Sequence, residues 1–167
     1  MEKYKLYTRQ GLERQRARIS QLEQELATKE KQVYEVARQT ANVWHDNAPY
    51  ESLMEEINQL SKRIIEARGE LNCVEIIEYP KLVPETVHVG VGVIFERDSK
   101  AFNLKIVGYG DQDIDRNRVL YEAPISQALM GHRIGDSFEA KIVGKTSQIR
   151  LRSIYIIKDE DLVRTLG

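Results

Sequence analysis

The sequence predicts an α+β protein in which an antiparallel helical hairpin precedes a small sheet domain. Two observations support this fold class. Apolar residues recur at heptad spacing between residues 12 and 74, and short segments rich in β-branched and aromatic residues follow Pro80 and Pro84. We expect the hairpin to span residues 1–78 with its tip at 42–47, the globular domain to span 79–158, and a tail to cover 159–167.

Two heptad-patterned segments predict the two arms of the hairpin. Seven of the ten a and d positions of the first segment are aliphatic, and all eight of the second are apolar or aromatic. The first set is Leu12, Gln15, Ile19, Leu22, Leu26, Lys29, Val33, Val36, Thr40 and Val43, and the second is Tyr50, Leu53, Ile57, Leu60, Ile64, Ala67, Leu71 and Val74. The short connection at 42–47 requires antiparallel neighbours. Each arm would be about 40 to 50 Å long, although heptads alone favour a purely structural coiled coil.

The second half of the chain reads as a small antiparallel sheet that carries one helix. Five segments have the composition and turn boundaries of strands, namely residues 87–96, 102–109, 118–122, 137–143 and 148–157. Pro124 begins a short helix that ends at Gly131. We interpret Gly131, Gly135 and Asp136 as turn residues.

Composition limits the classes of function. With 25 Lys and Arg against 26 Asp and Glu, the net charge of −1 lacks the basic excess of an autonomous nucleic-acid binder. The single cysteine, Cys73, allows no internal disulfide and no cysteine metal cluster. No apolar run approaches the ~20 residues of a membrane span. We therefore expect a soluble, cytoplasmic, monomeric protein without a cofactor of its own.

The hairpin tip has an unusual composition for a turn. Val43 most simply closes the seam, whereas Trp44 has no nearby core and favours contact with a partner. Asp46 or Asn47 could cap the helix that opens at Ala48. His45 beside Asp46 could suggest a metal site, but two adjacent residues without a third ligand make a weak signal.

A cluster of arginines lies near the base of the first helix. A solvated helix face explains this cluster, and a weak contact with a partner is the alternative. Its members are Arg9, Arg14, Arg16 and Arg18.

Two motifs in this chain carry a resemblance to a known family. They are EAPISQALMGHRIGD, residues 122–136, and DNAPY, residues 46–50. The first resembles the S-P-x-x-x-A-L-x-G-x-x-x-G-D signature of the bacterial Gre transcript-cleavage factors and departs from it at Ala123, where serine is usual. The second is similar to the family's E-N-A-E-Y segment at Asn47, Ala48 and Tyr50, and the segments ETVHVGVGVIF and KIVGYGDQD extend the resemblance over nearly the whole chain.

The resemblance implies a coiled-coil hairpin joined to a domain with an FKBP-like fold. It further implies that the globular domain docks on the rim of the RNA polymerase secondary channel, through the positions of Glu122, Ala123 and Pro124. The hairpin would then bring Val43, Trp44, His45, Asp46, Asn47 and Tyr50 towards the polymerase active site. Nucleic acid would be met only indirectly, within the transcription complex.

The tip departs from the family pattern in its acidic residues. Cleavage-stimulating members carry D-x-x-E-N-A, whose two carboxylates act on a magnesium ion and the attacking water of the polymerase. In this chain, Asp46 stands at the glutamate position and Val43 at the aspartate position. Asp46 is also shorter than glutamate by one carbon–carbon bond, about 1.5 Å, and catalysis is sensitive to displacements near 1 Å.

We therefore expect an accessory elongation regulator, not itself an enzyme, with cleavage stimulation absent or weakened. Asp46 is the candidate ligand of a magnesium ion shared with the polymerase. One alternative is an active cleavage factor that uses Asp46. Others are a coiled-coil adaptor or a peptidyl-prolyl isomerase, although the sequence gives no reason to expect the aromatic-lined pocket that isomerase activity needs.

Overall fold

The computed structural model describes residues 4–40 and 48–158, and its side chains over 4–38 and 48–158. The chain forms two compact units. The first comprises Met1–Lys5 and Glu13–Val74, and the second comprises Leu6–Leu12 and Glu75–Gly167. The sequence places the domain boundary after residue 78, whereas the compact units divide at residue 74 and group residues 6–12 with the sheet.

Two long helices dominate the first unit, as the heptads predict. Helix α1 spans Arg9–Thr40 and helix α2 spans Ala48–Gly69. The most buried side chains of the unit all occupy predicted a or d positions, so the heptad phase is correct over the described residues. They are Gln15, Ile19, Leu53, Leu60, Ile64 and Ala67.

Contacts between α1 and α2 show that the helices are antiparallel. Glu23 accepts hydrogen bonds from Arg68, whereas Lys29, one to two turns further along α1, pairs with Glu56, three turns earlier in α2. The prediction for the end of the seam is wrong. Helix α2 ends at Gly69, so Leu71 and Val74 lie beyond it, and Val74 begins a strand.

Two strands of three residues precede and follow the helices. They are β1, Lys5–Tyr7, and β2, Val74–Ile76, and they form a two-stranded sheet. The sequence pattern gives no sign of either, because three residues are too short to show an alternation.

The second unit contains a five-stranded sheet with all the predicted strands. These are β3, Val91–Arg97, β4, Lys100–Val107, β5, Arg118–Leu120, β6, Ser137–Ile142, and β7, Lys145–Ile156, in the order β5-β4-β3-β7-β6. The prediction that all are antiparallel is wrong for β4 and β5, which pair in parallel. Between them the chain makes a short 3-10 helix, Ile114–Arg116, that returns it to the same end of the sheet.

One face of this sheet forms the core of the second unit. Val91, Val93 and Phe95 of β3 are buried beside Leu104 and Ile106 of β4 and residues of β7. The predicted short helix is present as α3, Pro124–Leu129, and its Leu129 is fully buried. The α+β fold predicted from the sequence is therefore confirmed.

Candidate functional site

The predicted hairpin tip lies mostly outside the described residues. This applies to Val43, Trp44, His45, Asp46 and Asn47, so their roles stay predictions. Tyr50 is described and is half-buried in the first turn of α2. Helix α2 begins at Ala48, and Pro49 therefore stands in the first turn, where its missing N–H costs no helical hydrogen bond.

The three predicted rim-contacting residues join β5 to α3. Tyr109 donates a hydrogen bond from its hydroxyl to Glu122 Oε2 at 2.8 Å, which holds this carboxylate at the strand end. Ala123 is the N-cap of α3 with extended φ and ψ of −62° and 145°, and its side chain makes no capping bond. Pro124 follows as the first helical residue and is exposed.

Aromatic packing supports the position of Glu122. The Tyr109 ring stacks on Tyr7 with centroids 5.4 Å apart and meets Tyr121 edge-on at 6.1 Å. Burial raises the pKa of Tyr121, which outweighs the lowering by the Leu6 N–H that donates to its hydroxyl. The raised pKa keeps the Tyr121 hydroxyl protonated next to Glu122.

An apolar groove of about 350 Å³ opens beside Pro124. It is lined on the sheet side by Phe95 and Phe102, and we call it the α3 groove. Its other lining residues are Arg97, Asn103, Leu104, Ile114, Asn117, Val119, Ile125, Ile142 and Val143. Aromatic and aliphatic walls with few polar groups are typical of a binding surface.

Unusually exposed apolar side chains border the α3 groove. Ile114 and Val143 are each 87 % exposed, and Phe102 is 44 % exposed. Isolated exposed apolar residues are ordinary, but residues that border one groove indicate an interaction surface.

Val143 is also held in a backbone conformation that a β-branched residue rarely adopts. Its φ is 48°, and Gly144 follows with a φ of 80°, in the turn between β6 and β7. Such a conformation costs on the order of 1–3 kcal/mol and persists where the surrounding structure imposes it. The turn between β6 and β7 thus holds the exposed Val143 beside the α3 groove at a cost in stability.

The α3 groove was not predicted from the sequence, because its lining comes from five separate segments of the chain. Ile114 and Val143 were the available signals, since each is an aliphatic residue in a turn where polar residues are usual.

The signature glycines have the backbone role expected of turn residues. Gly131 and Gly135 have φ of 85° and 94°, where glycine alone is unstrained. Asp136 Oδ2 accepts a hydrogen bond from the Arg133 N–H at 2.8 Å and closes the turn.

The arginine cluster lies in α1. Arg9, Arg16 and Arg18 are exposed and Arg14 is half-buried, as either interpretation of the cluster allows.

Residues 4–40 and 48–158 contain no group of three or more metal-ligating side chains. No helix in this part of the chain is both long and apolar enough to cross a membrane.

Comparison with known proteins shows which proteins the chain is similar to. Residues 82–155 match the family model described as "Transcription elongation factor, GreA/GreB, C-term". The transcription elongation factor GreA of Rhodospirillum rubrum is 33 % identical over 101 residues, which cover 59 % of this chain and 64 % of that protein. GreA of Thermosipho africanus is 26 % identical over 84 % of this chain and 90 % of its own. GreA of Mycoplasma capricolum subsp. capricolum is 29 % identical over 92 % of this chain and 99 % of its own.

Solved structures with some similarity include the GreA factor homolog 1 (Gfh1) of Thermus thermophilus. It is 20 % identical with a TM-score of 0.44, over 92 % of this chain and 99 % of that one. GreA/GreB from Nitrosomonas europaea is 23 % identical with a TM-score of 0.37, over 60 % of this chain and 90 % of that one.

The chain therefore has two parts, a pair of long helices and a sheet domain, and the sheet domain carries the signature at residues 122–136. The family model over residues 82–155 and the GreA relatives support a Gre-like factor, similar to the GreA/GreB transcription elongation factors.

Proposed function

We propose that this protein binds bacterial RNA polymerase and inserts its hairpin into the secondary channel, so that the tip approaches the active site. The observation that supports this proposal most directly is the α3 groove, which lies within the segment that matches the GreA/GreB family model. The 32 residues of α1 correspond to about 48 Å of helix, long enough to reach through a protein wall.

Docking would use the α3 groove together with the strand-to-helix junction. Pro124 belongs to both features, and Glu122 is held by the Tyr109 hydroxyl rather than left to rotate freely. Ala123 lacks the hydroxyl of the usual serine, so it can offer only van der Waals contact through its side chain. We therefore assign most of the docking energy to the apolar groove, with Glu122 as a directional polar contact.

At the tip we propose that cleavage stimulation is weak or absent. Of these two side chains, Asp46 alone would ligate a magnesium ion that the polymerase supplies, because the side chain of Val43 has no oxygen. The protein would contribute no catalytic group of its own and would act by occupying the channel. It would do so as a monomer, with nucleic acid met only through the transcription complex.

A cleavage assay on backtracked complexes tests this function. We expect little stimulation by the wild type, and a gain of at least about tenfold for Val43→Asp because the second carboxylate supplies the missing ligand. The gain should disappear in Val43→Asp/Asp46→Ala. Val43→Asn is the matched control, since it introduces a polar side chain of similar size without the charge. Robust cleavage by the wild type that survives Asp46→Ala would reject the proposed magnesium role.

Three alternatives correspond to distinct results. An active Gre-type factor that uses Asp46 predicts strong wild-type cleavage abolished by Asp46→Ala. A peptidyl-prolyl isomerase would need an aromatic-lined pocket, and the aromatic residues Phe95 and Phe102 are among those that line the α3 groove. A prolyl-peptide isomerisation assay tests that activity, and size-exclusion chromatography with core polymerase separates the proposed function from a coiled-coil adaptor.

A further inference from the structure

Two polar residues, Gln15 and Lys29, occupy d positions of the seam in α1, and both find partners on α2. Gln15 is only 4 % exposed, and its Nε2 donates to the Ala67 carbonyl oxygen at 3.3 Å and to Glu70 Oε2 at 2.7 Å. Lys29 has a side chain that is 27 % exposed and pairs with Glu56 Oε2 at 2.5 Å. The two positions lie two heptads apart, so they fix the helix pair at two separate levels.

An apolar seam by itself specifies register poorly. Leucine, isoleucine and valine in one layer pack almost equally well against those of the next, so a helix that slips by a turn loses little apolar contact. Polar seam residues change this balance. In any other register, the buried Gln15 amide would lose the Ala67 and Glu70 oxygens and the Lys29 amine would lose Glu56, and leaving a buried polar group without a partner is unfavourable.

Register matters for the function proposed above because it sets how far the end of the hairpin reaches. A relative slip of one residue moves one helix by about 1.5 Å along the other. A displacement of about 1 Å can already cost a factor of roughly 100 in catalysis.

We propose that Gln15 and Lys29 are positioning residues, which fix the register of the hairpin and thereby the axial position of its tip. The surface pair Arg68 and Glu23 also joins the two helices, but the Arg68 side chain is 63 % exposed against 27 % for Lys29. The two carboxylates, Glu23 and Glu56, are similarly exposed, at 42 % and 48 %. Exposed pairs contribute little, so this pair does not set the register. Its removal therefore provides a matched control.

The register claim is tested without polymerase, on the full chain in a Cys73→Ser background. Spin labels on Glu30→Cys and Asn58→Cys report the distance between exposed sites of α1 and α2. The parent should give one narrow distance. Gln15→Leu/Lys29→Leu should raise the midpoint of thermal unfolding and yet broaden the distribution or add a second distance, displaced by on the order of 5 Å for a one-turn slip.

Two further variants separate register from simple packing. Arg68→Gln should keep the single narrow distance. Lys29→Glu alone should broaden it, and Lys29→Glu/Glu56→Lys should restore it, because the exchanged charges pair only in the native register. If Gln15 and Lys29 acted only through stability, their replacement would lower the unfolding midpoint and broaden the distance distribution together. A single unchanged distance in Gln15→Leu/Lys29→Leu would overturn the register claim.

The positioning claim rests on the proposed function, and it is measured in the Val43→Asp background. There, Gln15→Leu/Lys29→Leu should slow cleavage at least about tenfold, while the affinity for core polymerase stays the same because docking uses the sheet domain. A second distance with unchanged cleavage would overturn the positioning role. If the protein fails to bind polymerase at all, the proposed function fails, and the distance measurement still decides the register claim.

Discussion

Asp98 shows how a single exposed residue can couple the sheet domain to pH. It lies in the turn between β3 and β4 with a φ of 49°, and its Oδ1 accepts a hydrogen bond from the Gln148 N–H at 3.0 Å. This backbone hydrogen bond is the main cause that holds the pKa of Asp98 below 3.8, and the Ser147 hydroxyl and Lys145 act in the same direction. The charged carboxylate is therefore favoured in the folded state.

We predict that Asp98 contributes to acid stability. Because the folded-state pKa is depressed, this contribution is present above the unfolded-state pKa of 3.8 and is lost as the pH falls through the folded-state value. Asp98→Asn is the matched variant, since asparagine tolerates the positive φ and its amide oxygen can still accept the Gln148 bond. Between about pH 5 and about pH 2, the free energy of unfolding should fall more steeply for the wild type than for the variant. Equal slopes in denaturant titrations would contradict this prediction.

The first turn of α1 illustrates packing at the scale of an element. Within the second unit, a Cβ added to Gly11 would lie 2.6 Å from the Tyr109 carbonyl oxygen and 2.9 Å from Asp111 Oδ1. Asp111 is buried and accepts hydrogen bonds from the Thr8 and Tyr79 hydroxyls at 2.8 and 2.6 Å. The helix start is thus bound to the loop after β4 by close backbone contact, with little room for a side chain.

Two glycine-to-alanine substitutions in helices should therefore have opposite effects. Helix propensity alone predicts a gain of up to about 1 kcal/mol for either. Gly11→Ala should instead destabilise the protein by about 1–3 kcal/mol, because backbone atoms must shift to admit the methyl group. Gly69→Ala should be neutral or stabilising, since its new methyl group would meet no atom within 4 Å beyond its chain neighbours and its own helix backbone. Thermal unfolding of both variants measures the difference, and a gain for Gly11→Ala would show that the contact yields easily.

Elements with a regular pattern were predictable, and features that depend on the path of the chain were not. Heptads fixed the phase of both helices, so that Gln15 and Lys29 were placed at seam positions from the sequence. The parallel pairing of β4 and β5 depends on the path of the connecting residues 108–117, and no sequence periodicity encodes that path. Likewise, the α3 groove forms only when the turns at Ile114 and Val143 approach the start of α3. Of the candidate site, the signature around Pro124 was predicted and the groove beside it was not.

At the scale of the whole molecule, the proposed function divides the work between two units. The sheet domain would supply affinity for polymerase, and the hairpin would supply the effect at the active site. Variants should therefore fall into two groups, those that lose binding and those that bind normally but lose the effect. The α3 groove offers the sharper test, because Ile114 at its border is 87 % exposed and can be replaced without disturbing the core.

We predict that Ile114→Asp weakens binding to core polymerase by at least about tenfold, about 1.4 kcal/mol, because a charge replaces an apolar contact beside the groove. Leu82→Asp is the matched control. Leu82 is 83 % exposed, against 87 % for Ile114, and it does not line the groove. Both variants should unfold at the wild-type temperature, since neither residue is buried. Titration of labelled protein with core polymerase measures the two affinities. Equal affinities for the two variants would remove the α3 groove from the docking surface and leave Glu122 and Pro124 to carry it.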